Sequence, residues 1–185
     1  MASAFEPDLT FNQTVRDRSG EPIQRCYYCH KCTAGCPVAY AMDYTPTQVL
    51  RLVQLGLKDA VLSSSAIWLC VCCKTCGTRC PNQIHPDVVF DALRYMSLEQ
   101  GYKPEPAIYA LHRSFLDSVR LWGRVHELSM ILEYKVRNRD PFSDLGIGIG
   151  LVLKGKLPYL PERIPGRAQV RRLYETGSAS SSAGV

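Results

Sequence analysis

The sequence predicts an all-α protein. Three observations carry that expectation: apolar residues recur at three- and four-residue steps through much of the chain, prolines stand where helices should begin, and sustained period-two alternation is missing. Only residues 145–153 approach a strand pattern, and the glycines there are poor strand formers. Taken in order, the first well-marked helix starts with Thr45 as N-cap and Pro46 at the first helical position; Val49, Leu52 and Val53 share a face and Gly56 is the stop. Pro86 starts a second, with Val89, Ala92, Leu93 and Met96 on one side and Gly101 after its last turn. Pro106 starts a third, whose Ile108, Leu111, Phe115, Val119 and Trp122 make the spacing of a buried stripe, interrupted at Gly123. Val125, Leu128 and Leu132 resume the pattern to about Asn138, where Asp140-Pro141 should end it.

A chain of 185 residues with 46% hydrophobic and 21% charged residues is enough for a compact fold with a modest core, which excludes a large multidomain enzyme and wholesale disorder. The sequence divides into a polar N-terminal arm (1–24), a cysteine-bearing region (25–101), a cysteine-free helical region (102–175) and a small-residue tail (176–185) expected to be disordered. The N-terminus has neither the basic nor the apolar part of a secretion signal, and the longest apolar runs fall short of the roughly 20 residues that span a bilayer. The expectation is a cytoplasmic protein with no membrane span. In a reducing compartment, cysteines more often bind metal or act catalytically than form disulfides.

All nine cysteines lie between positions 26 and 80. Cys26-Tyr-Tyr-Cys29-His-Lys-Cys32-Thr-Ala-Gly-Cys36-Pro37 recurs 44 positions later as Cys70-Val-Cys-Cys73-Lys-Thr-Cys76-Gly-Thr-Arg-Cys80-Pro81. Both copies read C-x2-C-x2-C-x3-C-P, the spacing that wraps a loop around a four-iron, four-sulfide cube; sulfur is the soft donor iron needs there. In two-cluster proteins the fourth cysteine of each run serves the other cluster. Two [4Fe-4S] clusters are therefore expected. The crossed pattern assigns Cys26, Cys29, Cys32 and Cys80 to one, and Cys70, Cys73, Cys76 and Cys36 to the other. Pro37 and Pro81 fix φ and turn the chain away after its last ligand.

A pair of zinc sites is the bland alternative, but zinc has no use for the third cysteine two residues on, or for the prolines. Cys72 is the ninth cysteine, outside the repeat's ligand positions and opposite Tyr28; the expectation is a packed free thiol. His30 and His85 do not form the two-His, two-Cys arrangement of a Rieske centre and are expected to support the site or lie at the surface. Lys31, Lys74 and Arg79 lie inside the ligand loops, where positive charge raises reduction potentials. Eight thiolates outweigh two cationic cores, so cluster binding offsets most of the chain's formal charge of +5.

With these residues in view, the sequence resembles the C subunit of heterodisulfide reductase, including the heterodisulfide-reductase-like complexes of bacterial sulfur metabolism. The resemblance rests on the paired motifs, on Ile67-Trp68-Leu69-Cys70 before the second motif, and on Lys154-Gly155-Lys156-Leu157-Pro158-Tyr159-Leu160-Pro161-Glu162-Arg163. It implies an α-helical ferredoxin domain holding two [4Fe-4S] clusters, plus a C-terminal helical extension. It also implies a non-catalytic component of an oxidoreductase hetero-oligomer, carrying electrons between a flavin-bearing A subunit and a catalytic B subunit. The chain itself shows neither a G-x-G-x-x-G fingerprint nor a G-x-x-x-x-G-K-[ST] loop.

The cysteine motifs alone are shared with the iron–sulfur subunits of succinate/fumarate-type quinone oxidoreductases. That kind of subunit and a zinc-stabilised interaction module are the alternatives. The segment 154–172 holds six basic residues (Lys154, Lys156, Arg163, Arg167, Arg171, Arg172) against one acid, Glu162. It reads as a solvated face or a partner-docking segment; no aromatic-interleaved platform accompanies it, so nucleic acid is not an expected partner.

Overall fold

The computed structural model describes residues 7–102, 105–139, 146, 150–151, 153–155, 160–161 and 164–182, the side chains of 177–182 excepted. The chain is all-α: every regular element among the described residues is an α-helix or a 3-10 turn. It divides into two compact units, 1–105 and 106–185. No helix among the described residues is long and apolar enough to cross a membrane.

The first unit contains α1 (Leu9–Ser19), α2 (Lys31–Ala34), α3 (Pro46–Gln54), α4 (Lys58–Leu62), α5 (Ala66–Leu69), α6 (Thr75–Thr78) and α7 (Pro86–Glu99). Its long helix α7 packs against α1, α4, α5 and α6, and so forms the spine on which the cysteine loops are hung. Val89, Ala92, Leu93 and Met96 are buried as their spacing requires, and the Ser97 hydroxyl inside the core donates to Leu62 O at 2.8 Å. Helix α3 starts at Pro46, and the Thr45 N–H donates to Gln48 Oε1 at 2.8 Å, one half of a capping box. Val49 and Val53 are buried, joined by Leu50, whereas Leu52 is only half-buried. The buried arc is shifted because α1, α2 and α4 all pack on α3.

The segment expected as a polar arm instead contributes α1. Asp8 caps it by accepting from Thr10 N at 2.9 Å, and Phe11 and Val15, one turn apart, are almost completely buried. Two apolar residues at the right spacing are enough to dock a helix whose other positions are polar. Its entry is fixed at Gly56, whose carbonyl accepts from Asp8 N at 2.9 Å. Gly56 has φ +71°, the left-handed region, and a Cβ there would press into the Asp8 carbonyl.

The second unit holds α8 (Pro106–Trp122), α9 (Glu127–Arg137) and α10 (Arg167–Ser182); α8 packs against both of the others. The stripe expected on α8 is corrected. Leu111 and Phe115 are exposed, Ile108, Val119 and Trp122 are half-buried, and the buried positions are Ala110, Ser114 and Ser118. Small residues four apart let α9 approach closely, and the larger side chains are displaced to the flanks. The turn between the helices is closed by His126, 7% exposed, whose N–H donates to Ser118 Oγ at 3.0 Å and whose Nδ1 accepts from Ser129 N at 3.3 Å. Helix α10 runs to Ser182, past Thr176, where the small-residue composition predicts that order ends. Of the basic segment, Lys156 and Arg163, with Glu162, lie outside the described residues, as does Asp140-Pro141.

Gly56→Ala is expected to lower the stability of the first unit by about 1–3 kcal/mol, the range for a side chain forced into a disfavoured backbone region. Urea denaturation followed by circular dichroism checks it; an unchanged midpoint contradicts the backbone argument.

Candidate metal centre

The sequence repeat is a structural repeat. Each cysteine loop ends in one short helix, α2 after the first and α6 after the second, and these helices pack against each other. Left-handed, non-glycine residues recur at equivalent positions: Tyr28 and His30 (φ 62° and 59°) in the first loop, Cys72 and Lys74 (φ 52° and 60°) in the second. The turns match as well. Cys36 N donates to Thr33 O and Cys80 N to Gly77 O, both at 3.1 Å. Such backbone is disfavoured for ordinary residues and persists where the surroundings dictate it, as at sites that need side chains aimed inward.

The two loops do not keep their cysteines to themselves. Cys26 interacts electrostatically with Cys32, Cys80 and Cys29, which gathers a first set from both loops. A pocket lined by Cys36, Cys70, Cys73 and Cys76, with Pro37, Val38 and Phe90 among its walls, gathers a second. The chain after Cys80 is tied to the start of the first loop: Asn82 Nδ2 donates to Arg25 O, His85 N donates to Glu21 Oε2 at 2.8 Å, and Ile84 N donates to Cys80 Sγ at 3.4 Å. The first two bonds carry the chain after Cys80 toward Cys26, and the third holds the Cys80 sulfur within its own turn.

Within each set the thiols differ in environment. Burial pushes the Cys70 thiol up to about 11 and the Cys76 thiol up to about 12. Burial also raises Cys26, and repulsion from Cys32, Cys80 and Cys29 adds to it. A hydrogen bond with the Thr75 hydroxyl, 3.4 Å away, pulls Cys73 down. Buried sulfur resists becoming an anion unless a cation arrives, so iron must displace protons as it binds. Among the described residues no three His, Cys, Asp or Glu side chains converge closely enough to hold a single metal ion. The second set lines a pocket instead of meeting at a point, as thiolates must around a four-iron cube. The donor chemistry and its spacing therefore fit two [4Fe-4S] clusters.

Other residues hold the loops in place, and no spacing in the sequence points to them. Arg94 on α7 does the most: its guanidinium donates to Cys70 O at 2.6 Å and to Ile67 O, approaches Cys72 Sγ at 3.1 Å and pairs with Asp91 at 2.7 Å. Asp43 caps α5, the helix that delivers Cys70, by accepting from Ser64 Oγ (2.8 Å), Ser65 N (3.0 Å) and Ala66 N (2.9 Å). Thr47 Oγ1 lies 3.2 Å from Cys32 Sγ and Asp87 Oδ1 3.8 Å from Cys76 Sγ. All are tertiary contacts between segments that only folding brings together.

Cys72 is corrected: it is exposed, not packed, because its left-handed backbone turns the side chain outward to Arg94. His30 stands exposed at the N-cap position of α2 without a side-chain capping bond, and His85, also exposed, sets its ring against Gly77. Lys31, Lys74 and Arg79 are exposed too, with the Arg79 stem lying across Gly35.

Comparison with known proteins agrees with this geometry. Residues 22–84 match the family of 4Fe-4S dicluster domains, and the cofactors are two [4Fe-4S] clusters. The C subunit of the ferredoxin:CoB-CoM heterodisulfide reductase of Methanosarcina acetivorans is 35% identical over 102 residues, 55% of this chain and 41% of the relative. The C subunit of the H2:CoB-CoM heterodisulfide,ferredoxin reductase of Methanothermobacter thermautotrophicus is 32% identical over 95 residues, 51% of each. A C-type iron-sulfur subunit of the CoB–CoM heterodisulfide reductase of Methanocaldococcus jannaschii is 40% identical over 79 residues, 43% of this chain and 42% of the relative. The chain thus spans about half the length of the curated relatives it matches.

Asp43 yields a test. Its partial burial works against ionisation, but the bonds from Ser64, Ser65, Tyr44 and Ala66 prevail and hold its carboxyl below the ordinary value. A depressed carboxyl stabilises the fold above its unfolded pKa, and that contribution is lost as pH falls through the folded value. Asp43→Ala is expected to cost about 1 kcal/mol at neutral pH and to flatten the acid side of the stability–pH curve below about pH 4. Thermal melts across pH 2–7 check it; parallel curves for the two proteins contradict it.

Proposed function

We propose that this chain, heterodisulfide-reductase-C-like across its cysteine-bearing region, is the electron-transferring iron–sulfur component of a heterodisulfide-reductase-like complex. In this reading it relays single electrons in the cytoplasm between a flavin-bearing A subunit and a catalytic B subunit. The ligands are Cys26, Cys29, Cys32 and Cys80 for one cluster, and Cys70, Cys73, Cys76 and Cys36 for the other.

The observation that carries the reading is the equivalence of the two sets. In each, the second cysteine of the motif, Cys29 or Cys73, is exposed, while the third, Cys32 or Cys76, is buried or half-buried. A cluster with one ligand at the surface can exchange electrons with a docked partner, and two such sites whose loops touch through α2 and α6 form a path instead of a store. The clusters supply one-electron chemistry. This chain's part is to hold the sulfurs, exclude water from the buried ligands and keep the two sites adjacent. The grouping of Cys80 with Cys26 supports the crossed ligation, since the fourth cysteine of the second motif stands with the first three of the other. Partner docking is the role we assign to the second unit, where Phe115, Leu121, Leu132 and Val136 are exposed.

Iron and acid-labile sulfide analysis of anaerobically purified protein is expected to find about eight of each per chain. Stoichiometric zinc without sulfide overturns the reading. Cys80→Ser is expected to damage the cluster held by Cys26, Cys29 and Cys32, and EPR after dithionite reduction should lose that signal while the other survives. Loss confined to the cluster of its own motif refutes the crossed ligation. Affinity purification of the tagged chain from its native host should recover a flavoprotein and a cysteine-rich catalytic protein; a membrane-anchored partner instead points to a quinone oxidoreductase.

A further inference from the structure

The loops match in backbone but differ at one place beside the third cysteine. Helices α3 and α7 each open with proline, Pro46 and Pro86, and in both the next residue reaches that cysteine. In the first loop the residue is Thr47, 2% exposed, with Oγ1 at 3.2 Å from Cys32 Sγ. Its N–H donates to Thr33 Oγ1 at 3.2 Å, and the two hydroxyl oxygens are 2.8 Å apart. A metal-bound Cys32 has no proton to give. The hydroxyl of Thr47 must then donate to the sulfur, backed by donation from Thr33. In the second loop Gly77 stands where the first has Thr33, and Asp87 where it has Thr47. A Cβ on Gly77 would meet the His85 ring and Asp87 Oδ1, so the glycine makes room for the carboxylate. Asp87, 5% exposed, faces Cys76 Sγ at 3.8 Å. Toward a metal-bound Cys76 its side chain offers an acceptor and no donor, although the backbone N–H groups of Asp87 and Gly77 both reach that sulfur.

Resting on the two-cluster reading above, we propose that Thr47 and Asp87 set the clusters at different potentials, with the one held by the Cys32 set above the one held by the Cys76 set. Reduction adds negative charge to the cluster and its sulfurs. A hydroxyl donating to sulfur stabilises the reduced form, and a buried carboxylate beside sulfur opposes it. Both residues are inside the fold, where solvent and salt screen little.

The remaining groups near the two sets do not cancel this difference. Arg94 lies beside Cys70, but it pairs with Asp91 at 2.7 Å, whereas Asp87 makes no ion pair among the described residues. The Thr75 hydroxyl bonds Cys73, which is exposed, and Lys74 and His85 are exposed as well. Backbone donors serve both sets, Ile84 N–H on Cys80 Sγ at 3.4 Å in the first and the N–H groups of Gly77 and Asp87 on Cys76 in the second, so the contrast lies in the side chains. The cation Arg51 near the first set sits over the Tyr28 ring at 4.8 Å. An electron shared between the two sites therefore rests on the Cys32 side, and no bond is made or broken as it moves.

The test is an EPR-monitored redox titration of the full chain, reconstituted anaerobically and shown to hold about eight iron and eight sulfide. Wild type should show two one-electron steps. Thr47→Val should move the upper step down and leave the lower in place; Thr47→Ser, which keeps the donor, should restore it. Asp87→Asn should move the lower step up. Each change should be at least about tenfold in the reduction equilibrium, about 59 mV for one electron. Both steps unmoved in loaded variants, or Thr47→Val acting on the lower step, overturns the proposal while the two-cluster reading stands. Wild type that binds no iron and sulfide overturns both. Should Asp87→Asn fail to load, an upper step unmoved by Thr47→Val is enough to reject the assignment.

Discussion

Sulfurs that must become anions side by side repel one another, and the first unit is organised around that repulsion. Cys26 interacts with three other thiols, and burial, helped by neighbouring thiols and by Asp87, pushes Cys70 and Cys76 far above the ordinary thiol range. No hydrophobic gain draws such groups together. They are placed by backbone: four left-handed residues at matched positions, two short helices in contact, and hydrogen bonds that carry the chain after Cys80 to the opening of the other loop. The strain of those residues is held by the core behind them, above all by α7, whose apolar face is sealed against α1, α4 and α5. Iron clusters then supply the positive charge that the arrangement lacks.

Much of this was legible in the sequence because the relevant signals are local. The candidate ligands announce themselves by spacing, and the helices after each loop by a proline followed by periodic apolar residues, as at Pro46 and Pro86. What escaped depends on which surfaces meet. The large side chains of α8 have helical spacing, yet the helix turns Ala110, Ser114 and Ser118 inward, because close approach of α9 favours small residues over bulk. Phe11 and Val15 are too few to register as a pattern, but α3 and α7 give them a place to bury.

The site shows the same division. Spacing marks eight cysteines, but nothing in it marks Arg94, which ties Cys70 to α7 from 24 positions away, or Asp43, which caps α5 across 22 positions to Ser65. These residues act through loops brought together only on folding. Cys72 shows the converse: composition favours burying a spare thiol, and the geometry of the ligand loop turns it outward.

The crossed ligation proposed above makes the first unit indivisible. A fragment cut anywhere between Pro37 and Leu69 keeps one whole motif, yet each piece is left with three of the four sulfurs its own loop gathers and one stranded sulfur that belongs with the missing half. Two copies of one motif that trade their last ligands in this way can hold clusters only as a pair.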